Sequence, residues 1–131
     1  MASVVDIHHV ALTVRSRDES AAWYASTLGF EELFREDAED RKACVLRFPG
    51  GGYSVGLVEH TRAEQGRFDP HRQGLDHVAF TVPSREELEE WANEFSRTGV
   101  EHSGIVDVPP GAILNFKDPN GIALALFWDR A

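Results

Sequence analysis

Two stretches of the chain, IHHVALTV at residues 7–14 and LDHVAFTV at residues 75–82, carry the same pattern and decide the fold. His9 matches His77, and the offset of 68 residues continues through Trp23 and Trp91. Self-similarity at a fixed offset is typical of repeated structural units. The sequence therefore predicts a tandem duplication, with a first module at 1–60, a linker loop at 61–74 and a second module at 75–131, together forming one domain.

Each module begins with an alternating, β-branched segment that predicts a strand, at 5–14 in the first module. Ser16 and Ser84 are helix N-cap candidates with an acidic residue three positions on, and Gly29 and Gly99 are C-cap candidates. Three further strands are predicted in each module, near 30–36, 42–48 and 53–60 and near 100–107, 111–117 and 121–128. Each half therefore has the order βαβββ.

Side chains of a strand alternate between two faces, which separates a wholly apolar set from a mixed set. In the first strand Leu12 and Val14 belong to the apolar set that packs under the helix, whereas His9 shares the other face. The predicted fold class is α+β: two tandem βαβββ modules form a curved mixed sheet around a cavity, with the helices outside. His9 and His77 would both face that cavity, and Trp23 and Trp91 are predicted to be core residues of the helices.

Composition excludes several function classes. The 131 residues include 13 Lys+Arg and 22 Asp+Glu, a formal charge of −9, which opposes binding to nucleic acid. The single cysteine, Cys44, excludes an internal disulfide and indicates a reducing compartment. No apolar run approaches the roughly 20 residues of a membrane span, so no membrane partner is expected and a cytoplasmic location is predicted.

The segments HVALTV, HVAFTV, WYASTLGF (23–30) and FKDPNGIALALF (116–127) resemble the vicinal oxygen chelate superfamily, and the resemblance covers essentially the whole chain. That superfamily includes glyoxalase I, extradiol dioxygenases, and fosfomycin- and bleomycin-resistance proteins. In its metal-using families one divalent ion is bound by a His or Gln early in the first strand of each half and a Glu late in the last strand. His9 and His77 match the first two positions, but Gly56 and Ala125 stand where the two Glu are expected.

Loss of both carboxylates argues against a metal site, because hard divalent ions prefer oxygen ligands. The sequence predicts no metal and no cofactor; His9 and His77 would be the ligands if a metal is present. It predicts instead a protein that binds and sequesters a small molecule, such as an aromatic natural product or antibiotic, as bleomycin-resistance proteins do. The predicted ligand-binding residues are His9, Ser54, Gly56, His77, Asn115, Phe116, Ala125 and Phe127. The resemblance also implies a homodimer.

Two enzymatic alternatives stay open at this stage, and no catalytic residue is assigned. A divalent metal held by His9 and His77, with a loop residue such as Asp69 or His71 completing the shell, would give a glyoxalase-, lyase- or dioxygenase-type enzyme. A metal-free enzyme would use His9 or His77 as a general base. Inheritance from an ancestral metal site would also explain both histidines without any present function.

Overall fold

The computed structural model describes residues 1–62, 64 and 66–131, and in one strand it describes Tyr53 and Ser54 by their backbone alone. The chain divides into two compact units, Met1–Gly66 and Arg67–Ala131, and the boundary falls inside the predicted linker. The first unit contains β1 (Val10–Thr13), α1 (Arg17–Leu28), β2 (Glu31–Asp37), β3 (Arg41–Arg47) and β4 (Tyr53–His60). The second contains β5 (Val78–Thr81), α2 (Arg85–Thr98), β6 (His102–Val108), β7 (Gly111–Lys117) and β8 (Ala123–Asp129).

Both units have the same topology, which confirms the predicted α+β class and the two βαβββ modules. Each contains a four-stranded sheet, in the order β1-β4-β3-β2 or β5-β8-β7-β6. The first strand pairs in parallel with the last, as the helical crossover between them allows, and the other pairs are antiparallel. The sheets are therefore mixed.

The predicted helix caps are confirmed at both ends of both helices. The hydroxyl oxygens of Ser16 and Ser84 accept hydrogen bonds from the backbone N–H groups three residues on, at 3.2 and 3.1 Å. Gly29 and Gly99 end the helices with φ of 75° and 84°, in the left-handed region that other residues rarely adopt. Local sequence thus fixes where each helix begins and ends.

A separate buried layer lies between the helix and one face of the sheet in each module. Tyr24 of α1 and Phe95 of α2 have no exposed surface, and Leu46 of β3 and Leu114 of β7 are also fully buried. Trp23 and Trp91 were predicted to be core residues, but both are only partly buried. The fully buried aromatic residues of the helices are instead Tyr24, directly after Trp23, and Phe95, one turn after Trp91.

Two departures from the predicted strands bear on the site. Strand β1 begins at Val10, so residues 5–9 and His9 precede it, and His77 likewise precedes β5. Strand β6 carries a register shift between His102 and Ile105, where Gly104 has a φ of 73°. Among the described residues no helix has the length and apolar character that crossing a membrane requires.

Candidate functional site

Of the predicted ligand-binding residues, Gly56, Ala125, Asn115 and Phe127 belong to the face of each sheet that the helix does not cover, here called the helix-free face. Burial alternates along β1 and β5 as predicted: Leu12 and Phe80 are buried under the helices, whereas Ala11, Thr13, Ala79 and Thr81 are exposed. The helix-free face is therefore lined by short side chains on its first strand in both modules.

Register places the two positions that lack a glutamate directly beside these alanines. Gly56 of β4 pairs with Ala11, and Ala125 of β8 pairs with Ala79. The row continues across β3 to Val45 in the first module, and across β7 to Asn115 in the second. We call these the first row (Ala11, Gly56, Val45 and Phe34) and the second row (Ala79, Ala125 and Asn115).

The two rows differ in polarity although they are equivalent in the duplication. The first row is apolar throughout and ends at Phe34, whose surface is half exposed. The second row has two methyl side chains and then the exposed amide of Asn115. In the rows Gly56 and Ala125 are buried, whereas Ala11, Ala79 and Asn115 are exposed. A few polar groups at the margin of an apolar surface are typical of small-molecule sites.

The side chains do not supply the donor set that a divalent ion of this fold requires. Gly56 and Ala125 offer no oxygen ligand, and Glu59, the nearest carboxylate in sequence to Gly56, accepts a hydrogen bond from the backbone N–H of Arg17 at 2.8 Å. Within residues 1–62, 64 and 66–131, no three His, Cys, Asp or Glu side chains converge into a group that could hold a metal ion. The residues present therefore do not fit the metal that the fold family uses.

The loop between the modules has a histidine–aspartate pair of its own. Asp69 accepts hydrogen bonds from the backbone N–H of His71 at 2.9 Å and from its ring at 3.1 Å. These bonds lower the pKa of the Asp69 carboxyl, the backbone bond contributing most. His71 is almost fully exposed, so this pair is an open surface feature.

The two equivalent histidines have different partners. Nδ1 of His77 lies 2.7 Å from a carboxylate oxygen of Asp76, and an ionised carboxylate can only accept, so Nδ1 is the donor. Nδ1 of His9 lies 2.8 Å from Nδ1 of His8, so one of those rings donates to the other. His77 is thereby oriented by a carboxylate in the way that histidine bases and ligands commonly are.

The other predicted ligand-binding residues lie in three different settings. Asn115 is exposed and Phe127 partly buried, and the register places Phe127 beside Thr81 on the helix-free face. Phe116 lies on the opposite face, buried with its ring 4.7 Å from that of Phe95 in α2, because adjacent residues of a strand point to opposite faces. The side chain of Ser54 lies outside the described residues.

Ser103 is a neighbour of Asn115 that sequence reasoning missed. Its Oγ accepts a hydrogen bond from the backbone N–H of Asn115 at 3.0 Å, at the point where β6 bulges away from β7. The segment SG at 103–104 was the available signal, since a glycine inside a strand pattern indicates a bulge. Period-two alternation alone cannot locate such a residue, because the bulge changes the register.

The buried charged and thiol groups serve the fold. Arg17, 3% exposed, pairs with Asp37 of β2, and its side chain also donates to Asp18 at 3.0 Å and to the carbonyl oxygen of Ala43 at 3.1 Å. Burial raises the pKa of the Cys44 thiol to about 11, so Cys44 stays protonated at neutral pH and is a poor nucleophile. Neither group belongs to the helix-free face.

The sequence and the fold are both similar to those of known proteins. The family model described as Glyoxalase/Bleomycin resistance protein/Dioxygenase superfamily matches residues 6–126. A crystal structure of a glyoxylase/bleomycin resistance protein/dioxygenase domain from Frankia sp. EAN1pec is 34% identical, with a TM-score of 0.88, and covers 98% of this chain and 94% of that one.

Two proteins of Bacillus subtilis (strain 168) are also similar. The one named "Putative ring-cleaving dioxygenase MhqA" is 35% identical over 126 residues, which is 92% of this chain but only 38% of MhqA. The one named "Uncharacterized protein YwkD" is 30% identical over 124 residues, 92% of this chain and 94% of YwkD. The chain thus spans well under half of MhqA and nearly all of YwkD.

Proposed function

Because the chain belongs to the Glyoxalase/Bleomycin resistance protein/Dioxygenase superfamily, we propose that it binds and sequesters a small, aromatic organic molecule on the helix-free faces of its modules, without a metal ion. The observation that carries this proposal is the pairing of Gly56 with Ala11 and of Ala125 with Ala79. These pairs put hydrogen and methyl groups where the metal-using families have carboxylates. Gly56 and Ala125 are buried, whereas their neighbours Ala11 and Ala79 are exposed and offer methyl groups to an apolar ring.

The first row supports the aromatic character of the ligand. Phe34 is 50% exposed at its end, an unusual exposure for a phenylalanine. An aromatic ring on this face could stack on a planar ligand, and such contacts add about 0.5–1.5 kcal/mol beyond burial of area. The net charge of −9 favours a neutral or cationic ligand over an anionic one.

The test is binding of a simple aromatic probe to the purified protein in the presence of EDTA. We expect 2-naphthol to bind saturably by calorimetry, and Ala79→Phe to abolish that binding because the bulky ring fills the second row. Ala22→Phe is the matched control, since Ala22 is an exposed alanine of α1. Absence of saturable binding, together with turnover that appears only when a divalent ion is added, would refute sequestration.

A second candidate function, an enzyme of dioxygenase or lyase type, is favoured by the His77–Asp76 pair. With Nδ1 donating to Asp76, Nε2 of the neutral His77 ring has a lone pair that can serve as a general base, and MhqA, the 35% identical relative, is named for ring cleavage. Oxygen consumption with catechol, with and without added Fe²⁺, tests this candidate. Loss of activity in His77→Ala but not in His71→Ala would support it, because His71 has a similar pairing with Asp69 in the loop between the modules.

A further inference from the structure

In the second module a chain of hydrogen bonds in the β6 bulge sets the orientation of the side-chain amide of Asn115. The chain begins at His102, whose Nδ1 lies 3.0 Å from the backbone nitrogen of Gly104. A backbone N–H can only donate, so Nδ1 is unprotonated. The proton of the neutral ring is then on Nε2, which donates to Oγ of Ser96 at 2.7 Å. Both ring nitrogens of His102 are thus committed to holding the bulge against α2.

The next link is the hydroxyl of Ser103. It donates to the carbonyl oxygen of Gly104 at 2.6 Å, and a carbonyl oxygen can only accept, so the single hydroxyl proton is used there. Oγ of Ser103 therefore has only lone pairs to offer Asn115. It accepts from the backbone N–H of Asn115 at 3.0 Å and faces the side-chain Nδ2 at 3.5 Å, a longer contact.

The consequence concerns the free end of the amide. An acceptor at Ser103 selects the orientation of Asn115 in which Nδ2 faces the bulge, and Oδ1 then points away from it. Asn115 is exposed and pairs with Ala125 on the helix-free face. The equivalent position in the first row is Val45, which pairs with Gly56 and has no polar group. Of the two rows, only the second therefore ends in a polar side chain.

We propose that Oδ1 of Asn115 accepts a hydrogen bond from a hydroxyl or N–H group of the ligand, and that Ser103 and His102 are the positioning residues that hold it in that orientation. This inference rests on the proposed function and deepens it, since it selects ligands that carry a donor at the edge of an apolar ring. A ligand with only acceptor groups would place them against Oδ1 of Asn115, which is itself an acceptor, and no hydrogen bond would form.

A matched pair of probes tests the proposal. 2-Naphthol has a hydroxyl group that can donate, and in 2-methoxynaphthalene a methyl group replaces the proton of that hydroxyl. One neutral hydrogen bond contributes roughly a five-fold difference in affinity, so the wild-type protein should prefer 2-naphthol by about that factor. Asn115→Leu should bring the ratio of the two dissociation constants to about one. Ser103→Ala should reduce it to under about two-fold, because the amide can then turn over.

Ser103→Thr retains the hydroxyl and should restore the preference, which a merely structural role of Ser103 would not require. Ser26→Ala, an exposed serine on α1, is the control and should leave the ratio unchanged. The ratio also remains readable in variants of lower stability, because both probes are measured on the same folded fraction.

The outcomes separate this inference from the proposed function. If both probes bind equally well to the wild-type protein, the inference is overturned while sequestration stands. If neither binds, the proposed function fails and the inference with it. The chain of hydrogen bonds can also be tested without ligand. Long-range ¹H–¹⁵N spectra should show His102 unprotonated at Nδ1 and protonated at Nε2. The opposite tautomer would overturn the proposed chain of hydrogen bonds.

Discussion

Gly111, the first residue of β7, has no space for a side chain, which gives a sharp prediction for Gly111→Ala. A Cβ built there would overlap the carbonyl oxygen of Trp128 and lie 2.9 Å from its carbonyl carbon. Both contacts are with backbone atoms of β8, so no rotation of a side chain can relieve them. The strands must separate at this end, where Gly111 pairs with Asp129 and Ala112 with Trp128.

The magnitude follows from what that separation breaks. Overpacking against backbone typically costs about 1–3 kcal/mol, and the loss of one ladder hydrogen bond adds about 1 kcal/mol. We therefore expect Gly111→Ala to lower the free energy of unfolding by about 2–4 kcal/mol. Gly52→Ala is the control, because a Cβ at Gly52 meets nothing within 4 Å and its φ lies outside the left-handed region. The control should be neutral or stabilising by up to about 1 kcal/mol.

Urea unfolding followed by circular dichroism measures both variants against the wild-type protein. The reasoning predicts a lower midpoint with an unchanged slope for Gly111→Ala, and a midpoint for Gly52→Ala at or slightly above that of the wild-type protein. If the two variants unfold within about 0.5 kcal/mol of each other, the close approach of β7 to β8 at this end does not exist as described.

Three further predictions concern single groups. Because burial raises the pKa of the Cys44 thiol to about 11 from its ordinary value of 9.0, stability should fall as the pH rises through that interval, and iodoacetamide at pH 9 should label Cys44 quickly only after unfolding in urea. Asp37→Asn should cost about 1–2 kcal/mol in urea unfolding, because it removes the charge paired with a buried guanidinium, whereas Asp107→Asn should cost less because its partner Arg85 is more exposed; equal losses would contradict this. Gly56→Glu should fold, since its Cβ makes an ordinary contact 3.4 Å from that of its neighbour, and should raise Mn²⁺ affinity at least about ten-fold by calorimetry; an unchanged affinity would show that the missing carboxylate is not what prevents metal binding.

Much of the fold could be predicted because the same pattern occurs in both halves of the sequence and because capping residues mark the ends of the helices. A serine N-cap and a glycine in the left-handed region delimit each helix, and these positions follow from residue chemistry alone. The repeated HVA segments likewise predict which side chains of β1 and β5 face the helix, and Leu12 and Phe80 are buried accordingly. Such features depend on neighbours a few residues apart.

The candidate site was less predictable because it depends on pairing between distant residues. Gly56 and Ala125 could be placed by resemblance, but their pairing with Ala11 and Ala79 is set by the parallel register, which no local pattern encodes. The segment ALALF is apolar at every position, so alternation could not assign its faces.

The two predicted ligand-binding residues of β7 lie on opposite faces of the sheet. Asn115 and Phe116 were grouped as ligand-binding residues although they are adjacent in a strand, and only Asn115 lies on the helix-free face. The bulge that brings Ser103 to Asn115 requires the positive φ of Gly104. The glycine indicates that a bulge can form there, but not which side chain of β7 the bulge meets.

Each module has its own buried layer and its own helix caps, so the duplicated gene carries two scaffolds that can be altered separately. A substitution on the helix-free face of one module does not enter the apolar layer on the other face of its own sheet. The contrast between Val45 and Asn115 is a difference of this kind between the two modules. The ligand contacts of a module can therefore change while the layer that joins its helix to its sheet stays the same.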